Sequence, residues 1–321
     1  MITARLNSPG LVLPRFMREV YAPGLHLAYA AAWFVALQSI LCQVAGLQWR
    51  PDGLSLVGIA TLFLVLFYLR VADEWKDLDY DRVHNPDRPL VRGLVSLRDV
   101  RRYLAVTAVL VLALNAAWGG AWALGVAAVD MAWGLLLVVL ERRWHALREG
   151  MLLNLLFTYP VNVALSVYAY ALWLGQAGGR PTWQGAAVLL SFALAFLVYE
   201  FLRKTAWPSV ARPGERLYSQ ALGPWGAILA LVCCALGATL LLFALLLGAG
   251  WNLSWAAGAS LPALLPVIQA LTRFLTRRDQ RVKLAGQGMA FLLLFYGLPC
   301  LLALASGAGL NVPGSPVAGL H

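Results

Sequence analysis

The chain has 321 residues, 61% of them hydrophobic and 12% charged, with a formal net charge of +10. Its mean hydropathy is +0.71. A soluble domain carries roughly 25% charged residues, so this composition excludes a soluble globular protein and assigns most of the chain to lipid or a lipid-buried core. A basic balance alone would suit nucleic acid, but here the Lys and Arg residues fall in particular loops, so no nucleic-acid partner is expected.

A membrane span needs about 20 apolar residues. In chain order nine stretches qualify, at roughly 24–47, 53–72, 103–119, 121–140, 151–174, 182–202, 222–248, 253–272 and 285–306. The first follows Arg5, Arg15, Arg18 and Glu19 and is too long for a signal peptide, so it reads as a retained span. Only Gly119-Gly120 divides the third from the fourth. The seventh and eighth share one uncharged stretch between Arg216 and Arg273, with Gly248, Gly250 and Asn252 offering a turn. Residues 307–321 are rich in Gly and Pro and read as a loose tail. Cys42, Cys233, Cys234 and Cys300 lie in apolar runs without metal-ligand spacing and read as small buried hydrophobes.

Charge supports this division. With the N-terminus in the cytoplasm and alternating spans, every one of the 25 Lys and Arg residues except Arg50 and Arg180 falls in a cytoplasmic segment. That is the positive-inside pattern. The expected fold is therefore all-α and integral to the membrane, with nine spans, N-terminus cytoplasmic and C-terminus outside. A single domain over 1–321 with a helical core at 20–306 is expected.

Five of the chain's 15 acidic residues sit between 73 and 81. If the second span continues as a helix, Asp73, Asp77 and Asp81 lie at i, i+4 and i+8 on one face. Glu74 lies beside that face and Asp79 points elsewhere. Stacked like charges repel unless a cation neutralises them, and hard oxygen donors suit Mg²⁺ together with substrate phosphate oxygens. Arg82, His84, Arg88 and Arg92 follow, and arginine binds phosphate in a forked geometry. Carboxylates for metal beside arginines for phosphate is the arrangement a diphosphate needs.

A second group stands at the cytoplasmic end of the sixth span. Glu200 is followed one turn on by Arg203 and Lys204. A simple helix-surface pair between Glu200 and Lys204 at i, i+4 is one reading; a carboxylate for metal and two cations for phosphate is the other. The acidic ends of spans two and six lie on the same membrane side and could face one cavity. Asp130 is the one acid well inside a span, where a carboxyl is costly and often functional. It reads as a possible acid or base, or as the partner of Asn115 or Asn162.

With these residues in place, the chain resembles the UbiA superfamily of intramembrane prenyltransferases. That family's first motif is Asn-Asp-x-x-Asp-x-x-x-Asp, followed by a basic loop with Arg-Pro and then Gly. Here it reads Asp73-Glu74-x-x-Asp77-x-x-x-Asp81, then Asn85-Pro86-Asp87-Arg88-Pro89 and Gly93-Leu94-Val95-Ser96. The resemblance covers 20–306 and implies helices around a central cavity open toward lipid. There are two departures. Asp73 and Glu74 replace Asn and Asp, and the family's second motif, Asp-x-x-x-Asp, is here Glu200-x-x-x-Lys204. A cation therefore stands where a second carboxylate would help bind the usual two metals.

The resemblance implies a Mg²⁺-dependent enzyme of the bacterial inner membrane, with its site on the cytoplasmic side. Asp73, Glu74, Asp77, Asp81 and Glu200 would be the metal-binding catalytic carboxylates. Arg88, Arg92, Arg203 and Lys204 would hold the diphosphate of a polyprenyl substrate. The prenyl chain would lie among apolar helices, and Tyr159, Tyr168, Phe192, Phe196 and Tyr199 are candidates to face the carbocation. Transfer to an aromatic or lipid acceptor is the leading expectation. The alternatives are a terpene cyclase of the same superfamily, acting on a C15 or C20 diphosphate, and a transporter or lipid-binding scaffold without chemistry.

Overall fold

The computed structural model describes residues 9–47, 49–212 and 215–307. Arg5 and the tail beyond 307 lie outside the described residues. Fourteen α-helices and short π and 3-10 turns make up the described structure, with no strand among them. The helices are α1 (Pro9–Val20), α2 (Pro23–Val44), α3 (Gly53–Lys76), α4 (Leu78–His84), α5 (Leu97–Leu114), α6 (Gly120–Arg143) and α7 (His145–Glu149). The remainder are α8 (Met151–Ala177), α9 (Trp183–Arg203), α10 (Tyr218–Ala221), α11 (Gly223–Gly248), α12 (Leu253–Ser260), α13 (Leu264–Thr276) and α14 (Ala285–Gly307).

Eight described helical stretches are long and apolar enough to cross a membrane. One of them, Leu97–Arg143, has 47 residues. At 1.5 Å per residue, an unbroken helix of that length would reach about 70 Å, against a hydrocarbon core of about 30 Å. It is not unbroken. A π turn occupies Asn115–Gly119, and Gly120 follows at φ 79°, a backbone that L side chains rarely adopt. The Gly119-Gly120 boundary expected from sequence is therefore a conformational break, and α5 and α6 both pack against α3.

Starts of helices are written in short polar side chains. Asp52 accepts from Ser55 N–H at 2.8 Å and closes a capping box at α3. Ser96 and Asp99 do the same at α5. Thr182 caps α9, and Asn252 caps α12 through Trp255 N–H at 2.9 Å. Each side-chain oxygen satisfies a backbone donor that the helix leaves without a partner.

The chain divides into two compact units. The first holds 9–34, 52–149 and 157–175. Inside it Asn115 is fully buried. It donates to Thr61 Oγ1 and Val111 O, each at 2.9 Å, and accepts from Tyr168 OH at 2.8 Å. Trp33 Nε1 donates to Ser166 Oγ at 3.1 Å. In a lipid-buried interior each of these groups needs such a partner. A Cβ on Gly58 would collide with the Phe34 ring, so glycine lets α2 and α3 approach.

The second unit holds 35–51, 150–156 and the residues from 176 onward. Its α9 packs on α11 and α14. Phe192 stacks on Tyr296 with ring centroids 5.1 Å apart and meets Phe295 edge-on at 5.7 Å. The segment after α9 is tied down closely. Ser219 Oγ bonds both the N–H and the carbonyl of Ala206, at 3.0 and 2.7 Å. Trp207 donates to Phe274 O at 2.7 Å and stacks on the Phe274 ring.

Candidate functional site

The acidic segment lies in the first unit, at the end of α3. Asp77 N–H donates to Asp73 O at 2.9 Å, Asp81 N–H to Asp77 O at 2.8 Å, and Asn85 N–H to Asp81 O at 2.8 Å. This i→i−4 ladder carries helical spacing across the junction of α3 and α4, so Asp73, Asp77 and Asp81 follow one another at one-turn intervals.

Their environments differ. The Glu74 side chain is 1% exposed, Asp81 7% and Asp73 45%. Burying a carboxylate is costly unless it is paired, and the pairs are present. Arg70 meets Glu74, and Arg88 Nη1 donates to the same Glu74 Oε1 at 3.2 Å. Arg88 Nε lies 3.8 Å from Asp81 Oδ2, and Asn85 Nδ2 donates to Asp81 Oδ1 at 2.7 Å. Lys76 Nζ lies 3.1 Å from Asp73 Oδ1 and 3.3 Å from Glu141 Oε1. Asp77 takes part in no ion pair within 4 Å among the described residues. Burial pushes its carboxyl up to about 6; Lys76 opposes this, and Asp73, Glu141 and Asp81 add to it. Asp79 and Arg82 pair in the open.

Arg92, expected beside the phosphate, is instead paired with Glu19 at the end of α1. Arg70 also donates from Nε to Val20 O at 3.0 Å, which ties α1 to the acidic segment. His84 lies against Tyr80 at the surface, with ring centroids 4.3 Å apart and the planes tilted by 31°.

Among the described residues no group of three or more His, Cys, Asp or Glu side chains stands ready to hold a metal ion. The first unit's carboxylates face side-chain cations instead. Their donor chemistry still fits Mg²⁺, because all are hard carboxylate oxygens. Glu74 Oε2 is also buried with no hydrogen-bond partner, a costly state that a bound cation would relieve.

In the second unit, Arg203 Nη2 donates to Glu200 Oε1 at 2.5 Å, and Lys204 Nζ lies 3.5 Å from Glu200 Oε2. The simple i, i+4 pair is present, so Glu200 is neutralised within its own helix. Lys204 Nζ also sits 5.6 Å from the Tyr218 ring centroid, and the Arg203 guanidinium 5.8 Å from that of Tyr199.

Asp130 is 2% exposed on α6. Both its carboxyl oxygens lack a hydrogen-bond partner. The expected pairing with Asn115 or Asn162 is not made, because Asn115 is already saturated by Thr61, Val111 and Tyr168. Tyr168 itself is a packed hydrogen-bonding residue.

Glu141 was not singled out from sequence. It is buried at the end of α6, directly before Arg142-Arg143, and holds Lys76. The signal in the sequence is its position, an acid closing a span as Glu200 does, masked by the two arginines that follow it.

No protein-family model and no curated protein sequence matches the chain. Two solved structures do. One is of digeranylgeranylglyceryl phosphate synthase, 14% identical, with a TM-score of 0.63 over 90% of this chain and 98% of that one. The other is a UbiA homologue from Aeropyrum pernix K1, 20% identical, with a TM-score of 0.59 over 88% of this chain and 98% of that one. The chain thus shares the fold of these two proteins, one of them a UbiA homologue.

Proposed function

We propose that the chain is an intramembrane enzyme that ionises a polyprenyl diphosphate and transfers the prenyl group to an acceptor. The observation that carries this reading is the helical stack of Asp73, Glu74, Asp77 and Asp81 at the end of an apolar helix, with Arg88 joining Glu74 to Asp81. The shared fold with digeranylgeranylglyceryl phosphate synthase and with a UbiA homologue supports transfer.

In this reading the chain is one transmembrane domain of nine spans, counting α5 and α6 separately, with the N-terminus and the site on the cytoplasmic side. Asp77, Asp81 and Glu74 would hold Mg²⁺, assisted by Asp73. When bound, the metal neutralises charge on the departing diphosphate. Arg88 carries the fork that phosphate oxygens need, and it would exchange part of its contact with Asp81 for the substrate. Arg203 and Lys204 are proposed phosphate ligands in the second unit, with Glu200 orienting them. Arg92 becomes available only if it leaves Glu19. Apolar helices keep water from the allylic cation. Asp130, having no internal partner, is the group we assign to proton transfer with the acceptor.

The test is incubation of purified protein with Mg²⁺ and C10, C15 or C20 prenyl diphosphates, with and without aromatic or lipid acceptors. Turnover that requires an acceptor supports transfer. A cyclic hydrocarbon or terpene alcohol formed without acceptor would make the protein a cyclase. No diphosphate release with any substrate would leave a transporter or lipid-binding scaffold.

A further inference from the structure

Two arginines from different helices meet one aromatic ring in the first unit. The Arg101 guanidinium, at the start of α5, lies 5.6 Å from the centroid of the Trp75 ring on α3. The Arg142 guanidinium, at the end of α6, lies 5.2 Å from the same centroid. Arg142 is anchored there, because its Nη2 donates to Trp75 O at 2.7 Å. Trp75 stands within the acidic stretch but on the other side of α3: two residues, about 200° of helical turn, separate it from Asp73. Arg98 and Arg102 on α5 and Arg143 on α6 are neighbours in sequence, and all five arginines are exposed.

These cations lack counter-charges. Among the described residues, Arg102 is the one of the five with an ion pair, to Asp99 at 3.8 Å. The other four are without a carboxylate partner, although Asp73 and Asp77 lie two positions either side of Trp75. Contact with a ring and one backbone carbonyl leaves most of the N–H donors of Arg101 and Arg142 for an anion.

The helix faces next to the arginines are apolar and open. On α5, Val106 and Leu110 follow Arg102 at i+4 and i+8 and are 57% and 50% exposed. On α6, Val139 and Leu135 precede Arg143 at the same intervals and are 47% and 37% exposed. Each set shares one helix face with its arginine. The Leu97–Arg143 stretch is apolar enough to cross a membrane, so these stripes face acyl chains. Trp75 and the arginines then stand at the level of the headgroups.

We infer that Arg101 and Arg142, gathered on Trp75, hold the phosphate of an anionic phospholipid whose acyl chains lie along the open stripes of α5 and α6. Charge and shape both favour that occupant. A soluble phosphate makes no use of the apolar stripes, and a zwitterionic lipid brings its own cation among the arginines. Basic groups between helices at a membrane surface are where anionic headgroups bind. The site lies away from the Asp73–Asp77 face, so the inference stands apart from the prenyl diphosphate reading. Arginines placed only to orient the spans would attract anionic lipid diffusely, and any two of them would matter equally.

The experiment measures lipid binding to the full chain in mild detergent by native mass spectrometry, with phosphatidylglycerol or phosphatidylcholine of the same acyl chains. The wild type is expected to bind phosphatidylglycerol at a concentration at least tenfold lower than phosphatidylcholine. Arg101→Gln/Arg142→Gln is expected to lose that preference. Arg101→Gln alone, which breaks no backbone hydrogen bond, is expected to weaken it at least threefold and carries the test if the double variant fails to fold. Arg82→Gln/Arg148→Gln removes the same charge from two exposed arginines paired with Asp79 and Glu149, and is expected to keep the preference. Equal binding of the two lipids by the wild type overturns the inference. So does an equal loss in both double variants, which would make the attraction diffuse. Displacement of phosphatidylglycerol by equimolar glycerol 3-phosphate, or by a farnesyl thiolodiphosphate, also overturns it, since the patch would then be a soluble-phosphate or substrate site.

Discussion

Arg88 Nη1 donates to Glu74 Oε1 at 3.2 Å, joining a loop residue to a carboxylate buried in the last turn of α3, fourteen positions back. Glu74 keeps Arg70 as a second partner, so removing Arg88 does not strand the carboxylate. Arg88→Ala is expected to fold, and to raise KM for the prenyl diphosphate tenfold or more, equivalent to about 1.4 kcal/mol of binding. Arg88→Lys is expected to recover little, because one ammonium cannot reproduce the planar fork. Steady-state kinetics on detergent-purified variants decide this. An unchanged KM in Arg88→Ala would remove Arg88 from substrate binding.

Stability of the first unit rests partly on Asn115, which is satisfied by Thr61, Val111 and Tyr168. Asn115→Ala would take an acceptor from the Tyr168 hydroxyl and a donor from Thr61 Oγ1 in an apolar interior, at a cost of about 1–3 kcal/mol. The thermal unfolding midpoint should fall by several degrees. Truncating Trp122, which is 80% exposed, should leave it unchanged in the same detergent.

Gly58 makes a steric prediction. A methyl group there would meet the Phe34 ring, and overpacking costs about 1–3 kcal/mol. Gly58→Ala is expected to destabilise the chain, and Phe34→Leu is expected to offset that loss. A double-mutant cycle of melting temperatures showing plain additivity would mean that the two positions are not packed together.

In the second unit Arg281 forms a two-pronged pair with Glu215, and Ser209 Oγ donates to Arg278 O at 2.9 Å. The hydrogen bond from Arg281 holds the Glu215 carboxyl below its usual 4.5, against the opposing effect of burial. A lowered carboxylate pKa contributes stability above the unfolded value, and that contribution is lost as pH falls through the folded value. Hydrogen exchange around 204–212 should therefore quicken as pH drops below about 4.5, after correction for intrinsic rates. In Arg281→Gln it should be fast already at neutral pH. The same profile in both proteins would show that the pair does not secure the segment.

Much of this was legible in the sequence for plain physical reasons. Length and hydropathy mark an apolar helix whatever packs against it, so α3, α9 and α11 could be placed to within a few residues. Gly119-Gly120 marked the break that Gly120's φ of 79° makes. The spacing of Asp73, Asp77 and Asp81 carries through the helix junction because the backbone ladder does. Partner choice was less legible. Lys76 counts in sequence as one more positive charge in a cytoplasmic loop, and nothing local says that it reaches Glu141 65 residues away. Arg92 could not be told from Arg88 by type or position; α1 brings Glu19 to one and not the other. Asp130's lack of a partner could not be read either, because Asn115 is claimed by residues from two other helices.

The central claim is that the Asp73–Asp81 carboxylates drive the ionisation of a prenyl diphosphate. The most direct measurement is release of inorganic diphosphate from C15 and C20 prenyl diphosphates, with acceptors present, as Mg²⁺ is titrated. Wild-type protein is compared with Asp77→Asn, which keeps the shape of the side chain and removes its charge. The expected result is Mg²⁺-dependent release by the wild type and a loss of at least a hundredfold in Asp77→Asn, with both proteins equally folded. Release at equal rates from the two, or release indifferent to Mg²⁺, would contradict it.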